Sequence, residues 1–106
     1  MDDKKLIKHT KSNSNQRFYG SDLIAVALRE LDIPYACLNP GASYRGLHDS
    51  MVNFLGNESP RMLINLHEEH AVAMAHGYAM VTGKPLISIV HSNVGLMHAT
   101  MAIFNA

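Results

Sequence analysis

NLHEEHAVAMAHGYAMVTGKP, residues 65–85, reads as a strand end turning into a helix. The apolar run Arg61-Met62-Leu63-Ile64-Asn65-Leu66 precedes it, and Glu68, Glu69 and His70 open a segment rich in Ala and Met. That segment sets Val72, Ala75, Ala79 and Met80 on one predicted helical stripe. It stops at Gly83-Lys84-Pro85, which combines a residue tolerant of positive φ, a cation and a helix breaker. Two acids in a first turn complement the helix dipole, and on that ground alone Glu68 is an ordinary first-turn carboxylate.

Working outward, the same grammar repeats. Upstream, Ser21 is a predicted N-cap, and Leu23, Ala27, Leu28 and Leu31 recur at helical spacing until Asp32-Ile33-Pro34. Tyr35-Ala36-Cys37-Leu38 is then a short strand without alternation, as a parallel sheet covered on both faces requires, and Asn39-Pro40-Gly41 breaks it. Ser43 caps a predicted helix through Leu47, Met51, Val52 and Leu55, closed by Gly56-Asn57. Downstream, residues 86–90 form the third strand, His91-Ser92-Asn93-Val94-Gly95 its turn, and residues 96–106 a last helix.

Strands alternating with helices predict an α/β fold: a three-layer α/β/α arrangement around a parallel sheet. Ligands of such sheets bind beyond the carboxyl ends of the strands. Three turns lie there, namely residues 39–42, His67-Glu68 and residues 91–95.

Composition narrows the function classes. A chain of 106 residues with formal net charge +0 is one domain at most, and it offers no field to attract nucleic acid or an anionic membrane. Residues 1–18 form a predicted flexible polar tail, whose four lysines also admit a basic-arm reading that no following basic patch supports. The lone Cys37 rules out an internal disulfide and reads as a small core residue, and the methionines read as core and helix filling. No run has the length of a transmembrane helix and no signal-peptide core is visible, so the expected location is cytoplasmic. His67, His70 and His76 cluster in sequence, but they form no HExxH arrangement and His76 is turned away from His70, so no metal site is expected among them. His48 and His98 sit in predicted helices and are expected to be exposed or satisfied there.

These residues also carry a resemblance. Asn39-Pro40-Gly41, His67-Glu68, Gly77-Tyr78-Ala79, Thr82-Gly83-Lys84-Pro85, and His91-Ser92 with Gly95 follow one another in an order and spacing that resemble the N-terminal, pyrimidine-binding domain of thiamine diphosphate-dependent enzymes of the acetolactate synthase and benzoylformate decarboxylase group. The resemblance covers residues 19–106 and implies a domain incomplete at its C-terminus, part of a larger enzyme.

It implies that Glu68 hydrogen-bonds N1′ of the cofactor's aminopyrimidine and promotes the imino tautomer that removes the thiazolium C2 proton. Apolar neighbours such as Leu66 and Val72 are expected to raise its pKa. It implies Pro40, Gly41, Ser92 and Gly95 as further cofactor contacts, and His91 as a proton-transfer residue beside the bland reading of a strand-terminal polar group. It also implies Mg²⁺ bound by a C-terminal domain that this chain lacks, a 2-oxo acid substrate, and the diphosphate-binding domain of a partner subunit in a homodimer or tetramer. Asn93, Val94 and His98 depart from the turn of either branch, His98 standing where both carry Asn. Two functions therefore stand at this point: the pyrimidine half-site of a lyase or transferase, inactive as an isolated chain, and a non-catalytic remnant or interaction module that keeps the fold.

Overall fold

A computed structural model describes residues 18–106; the predicted tail, apart from Phe18, lies outside the described residues. Helix α1 spans Gly20–Glu30, strand β1 Tyr35–Leu38, helix α2 Arg45–Asp49, strand β2 Arg61–Ile64, helix α3 Glu68–Thr82, strand β3 Ile87–Ile89 and helix α4 Val94–Asn105. The three strands form a parallel sheet in the order β2-β1-β3. Tyr35 stands opposite Arg61 and Leu38 opposite Ile64 on one side, and Leu38 opposite Ile89 on the other.

Successive strand residues point to opposite faces, and that period divides the molecule into layers. Ala36 and Leu38 join Ala25 of α1, Met51, Leu55 and Met62 in the main core, with Ile87 and Ile89 packed against it. Tyr35 points the other way and meets Tyr78 of α3 edge-on, with ring centroids 6.3 Å apart. On that face the Ser88 hydroxyl donates to the Ala71 carbonyl at 3.2 Å, tying β3 to α3, and Val72, Ala99 and Ala102 close a second small core. The α/β/α layering is thus the observed one. Cys37 is a free, buried thiol whose pKa burial pushes up, as suits an inert core residue.

The helices depart from the expected detail. Ser21 is not the cap of α1: the helix begins at Gly20 behind Tyr19, because the Asp22 carboxylate accepts the Tyr19 N–H at 2.9 Å. The buried Asp22 also accepts the Ser50 hydroxyl at 2.7 Å and turns α1 so that Ala25 faces the core while Leu23 and Leu31 are exposed. Nor does Ser43 cap a continuous second helix. A 3₁₀ turn, Ala42–Tyr44, leads into α2, which runs on as a π-helical turn, Ser50–Phe54, before Gly56 and Asn57 take positive φ. The widened turn lets both Ser50 and Met51 reach the interior.

In α3 the buried positions are Glu68, Ala71 and Val72, whereas Met80 of the predicted stripe is exposed. Gly83 ends α3 in the left-handed region at φ 69°, its N–H reaching the Ala79 carbonyl at 2.8 Å. Only Met51 and Met62 among the described methionines are core; Met74, Met80, Met97 and Met101 are exposed, against the expectation of filling. Among the described residues no helix is long and apolar enough to cross a membrane.

Candidate functional site

Parallel strands end at one edge, so the three turns named from the sequence converge. Asn39-Pro40-Gly41 follows β1, Asn65-Leu66-His67 follows β2, and residues 90–93 follow β3. Glu68 sits at the centre of that edge as the first residue of α3. It is 5% exposed, the most buried acid here.

Its surroundings correct one expectation. Leu66 is 89% exposed and turned to solvent, so it does not shield the carboxyl group. The carboxylate is instead held below the ordinary range, first by its own backbone N–H, then by the Asn39 side-chain amide and by His98, against burial, which pushes it up. His98 Nδ1 lies 3.6 Å from Glu68 Oε2, and the His98 ring stacks on His67 with centroids 4.8 Å apart. His67 caps α3, Nδ1 accepting the Glu69 N–H at 3.1 Å. Tyr44 donates its hydroxyl to the Asn39 carbonyl, and burial followed by the Glu68 charge raises the phenol's pKa. Glu68 is therefore an oriented anion.

A lowered carboxyl pKa stabilises the fold above the unfolded group's value and loses that contribution as pH falls through the folded one. Urea midpoints are expected to drop as pH falls from the ordinary carboxylate range through the lowered value, less steeply in Glu68→Gln. Parallel curves for the two proteins would contradict this.

His91 occupies the third turn, half-buried, with Nδ1 3.0 Å from the Ser92 carbonyl. A carbonyl only accepts, so Nδ1 donates in this contact and Nε2 is not engaged by it. Two of the predicted positions are glycine because of this residue. A Cβ on Gly41 would stand 2.5 Å from His91 Cδ2, and one on Gly95 would stand 2.8 Å from His91 Cβ and 3.0 Å from Glu68 Oε1. Gly95→Ala is expected to lower stability by about 1–3 kcal/mol from overpacking, outweighing a helix-propensity gain of up to about 1 kcal/mol. Gly77→Ala, with nothing within 4 Å of the added carbon, is expected to move the thermal midpoint upward instead. A midpoint for Gly95→Ala at or above wild type would contradict the packing.

Of the remaining sequence candidates, Ser92 is exposed and donates its backbone N–H to Ser43 Oγ at 3.2 Å, and Pro40 is exposed at the start of its turn. The edge also contains groups that sequence reasoning passed over. Asn39 hydrogen-bonds Glu68, Tyr44 holds the Asn39 carbonyl and feels the Glu68 charge, and the Asn65 side chain is buried with Oδ1 lacking a hydrogen-bond partner among the described residues. Asn39 had a signal, its place in the turn motif; nothing at Tyr44 or Asn65 announced them. A polar depression bounded by Asp32, Pro34, Tyr35, Glu58, Ser59 and Arg61 lies at the opposite, amino end of β1 and β2, away from every candidate residue.

The fold agrees with the comparisons. The family described as thiamine pyrophosphate enzyme, N-terminal TPP binding domain, matches residues 18–106. The chain belongs to that family. Among similar proteins, the acetolactate synthase large subunit of Lactococcus lactis is 32% identical over 87 residues, covering 82% of this chain and 15% of that subunit. The large subunit of Haemophilus influenzae is 30% identical over 91 residues, covering 86% and 15%, and the chloroplastic acetolactate synthase 2 of Brassica napus is 29% identical over 89 residues, covering 82% and 13%. The chain thus spans about 15% of the length of the large subunits it matches. No solved structure matches it significantly. As an N-terminal domain of the acetolactate synthase-like TPP enzymes, it carries the family match across the whole described fold.

Proposed function

We propose that this chain supplies the pyrimidine half of a thiamine diphosphate site in an enzyme acting on a 2-oxo acid, with Glu68 as the carboxylate that meets the cofactor's aminopyrimidine. One observation carries the reading: a buried, oriented carboxylate stands at the sheet's carboxyl edge, where ligands of parallel sheets bind. The residues around it fit a pyrimidine. Asn65 Oδ1 is a buried acceptor awaiting a donor, and Gly41 and Gly95 let the His91 ring and the Glu68 carboxylate pack directly on the backbone at this edge.

Bound thiamine diphosphate supplies an electron sink for carbanion chemistry at the 2-oxo carbon. Glu68 holds and shares a proton at the ring nitrogen N1′, a task for a fixed carboxylate near its partner. Asn39 orients that carboxylate, and Tyr44 in turn holds the Asn39 backbone. His91 is assigned proton transfer at the substrate carbonyl, with Nδ1 anchored on the Ser92 carbonyl. Pro40, Gly41, Ser92 and Gly95 shape the rim. Mg²⁺ and the diphosphate belong to a domain of a partner subunit, in a homodimer or tetramer located in the cytoplasm. Exposed Leu96, Met97, Met101 and Phe104 on α4 support the partner, since an apolar helix face of that extent suits burial.

The test is calorimetric. A chimera with residues 18–106 in place of the matching segment of the Lactococcus lactis large subunit is expected to bind thiamine diphosphate and Mg²⁺ saturably. A folded chimera that binds no cofactor overturns the proposal.

A further inference from the structure

The helix spacing that argues against a metal among His67, His70 and His76 does not reach across elements, and the fold brings in a different third group. His67, Glu68 and His98 each present one ligand atom, and these atoms all lie within 4.8 Å of one another. We propose that they form a binding site for Zn²⁺ or a similar first-row divalent ion in the cofactor-free chain.

Two imidazoles and a carboxylate are the donor set that such ions take, usually with a fourth position left to water. Glu68 supplies the charge from a buried, oriented position, while the His98 side chain is 51% exposed and leaves the approach open. Metal–ligand bonds of about 2.0–2.2 Å require donor atoms roughly 3.3 Å apart in a tetrahedral site. His98 Nδ1 and Glu68 Oε2 are already at 3.6 Å. Rotation of the exposed His98 ring closes the remainder. His67 gives up its 3.1 Å bond from the Glu69 N–H when its lone pair turns to the ion, and water replaces that exposed bond. The stack of His67 and His98, 17° between planes, places both rings near the carboxylate and opens on binding, since an ion lies in the plane of each ring that ligates it.

Asn39 fits the same reading. Its side-chain amide hydrogen-bonds Glu68 from the β1 end and so orients the ligating carboxylate from outside the coordination sphere. An ion here and an aminopyrimidine would claim the same carboxylate, so zinc is expected to exclude the cofactor; that corollary alone rests on the function proposed above.

The experiment is a zinc titration of the untagged 106-residue chain at neutral pH by calorimetry, beside a cobalt titration followed by visible absorption. Wild type is expected to bind one ion saturably and to give the intense bands of four-coordinate Co²⁺. His98→Ala and His98→Asn are expected to bind at least about tenfold more weakly and to lose those bands. Both replace an exposed side chain that caps nothing, and an unchanged far-ultraviolet spectrum accompanies the loss. His70→Ala and His76→Ala are expected to bind as wild type does. Absence of saturable binding by wild type, undiminished binding by the His98 variants, or loss of binding in His70→Ala or His76→Ala would each overturn the proposal.

Discussion

Glu68→Gln is expected to lower turnover of a 2-oxo acid by about 10²–10⁴-fold in the lactococcal chimera, the range for removing one positioned proton-transfer group. The amide keeps the shape of the side chain and its contact with Asn39, so folding and cofactor binding should change far less than rate. What it loses is the anion. In wild type the backbone N–H of Glu68, the Asn39 amide and His98 all favour that anion, and a neutral amide cannot hold a proton shared with a ring nitrogen. Steady-state kinetics with the 2-oxo acid substrate of the lactococcal enzyme, beside calorimetry with thiamine diphosphate, separate the two effects. Turnover within about threefold of wild type would remove Glu68 from the chemistry.

The second large effect concerns the frame. Leu38→Ala is expected to cost about 2–5 kcal/mol, because the side chain is fully buried in the main core and its deletion leaves a cavity. Leu38 pairs with Ile64 on one flank and Ile89 on the other, so it sits where all three strands reach the site edge. In a domain of this size each kcal/mol moves the midpoint by roughly 4–8 °C, which makes the expected fall on the order of 10 °C or more. Leu66→Ala provides the contrast: that side chain is 89% exposed, and a change within about 0.5 kcal/mol is expected. Thermal or urea unfolding of both variants checks the pair, and equal midpoints would contradict the core as described.

Much of this was legible in the residues. The strands at Tyr35–Leu38, Arg61–Ile64 and Ile87–Ile89 announced themselves as short apolar runs bounded by turn residues, and their alternation with helices dictated a parallel sheet with one ligand edge. That edge made the His67-Glu68 turn a candidate, and only the family resemblance singled out Glu68 within it. The helix faces were less legible. In α1, Leu23, Ile24, Ala25, Val26, Ala27 and Leu28 are apolar nearly all round, so period alone admits several stripes, and the buried Asp22–Ser50 bond chooses among them. No helical pattern announces a hydrogen bond across 28 residues.

The protonation of Glu68 is hidden from the sequence for a related reason. Apolar neighbours in sequence suggested a raised pKa, whereas Leu66 points to solvent and the carboxylate meets Asn39 from β1 and His98 from α4. Those partners are distant in sequence and adjacent only after the crossovers bring the strand ends together. His98 is exposed on α4, as expected of a helix histidine, and its ring also stacks on His67 beside the carboxylate. The three-residue cluster follows from topology, and its chemistry could not be read from the spacing of histidines on one helix.

The most direct test of the central claim is hydrogen–deuterium exchange at thiazolium C2 of thiamine diphosphate bound to the chimera, followed by proton nuclear magnetic resonance after acid quench. The account predicts rapid exchange with Glu68 present and exchange slowed by at least about 10²-fold in Glu68→Gln at equal cofactor occupancy. Equal exchange rates in the two proteins would contradict the role assigned to Glu68.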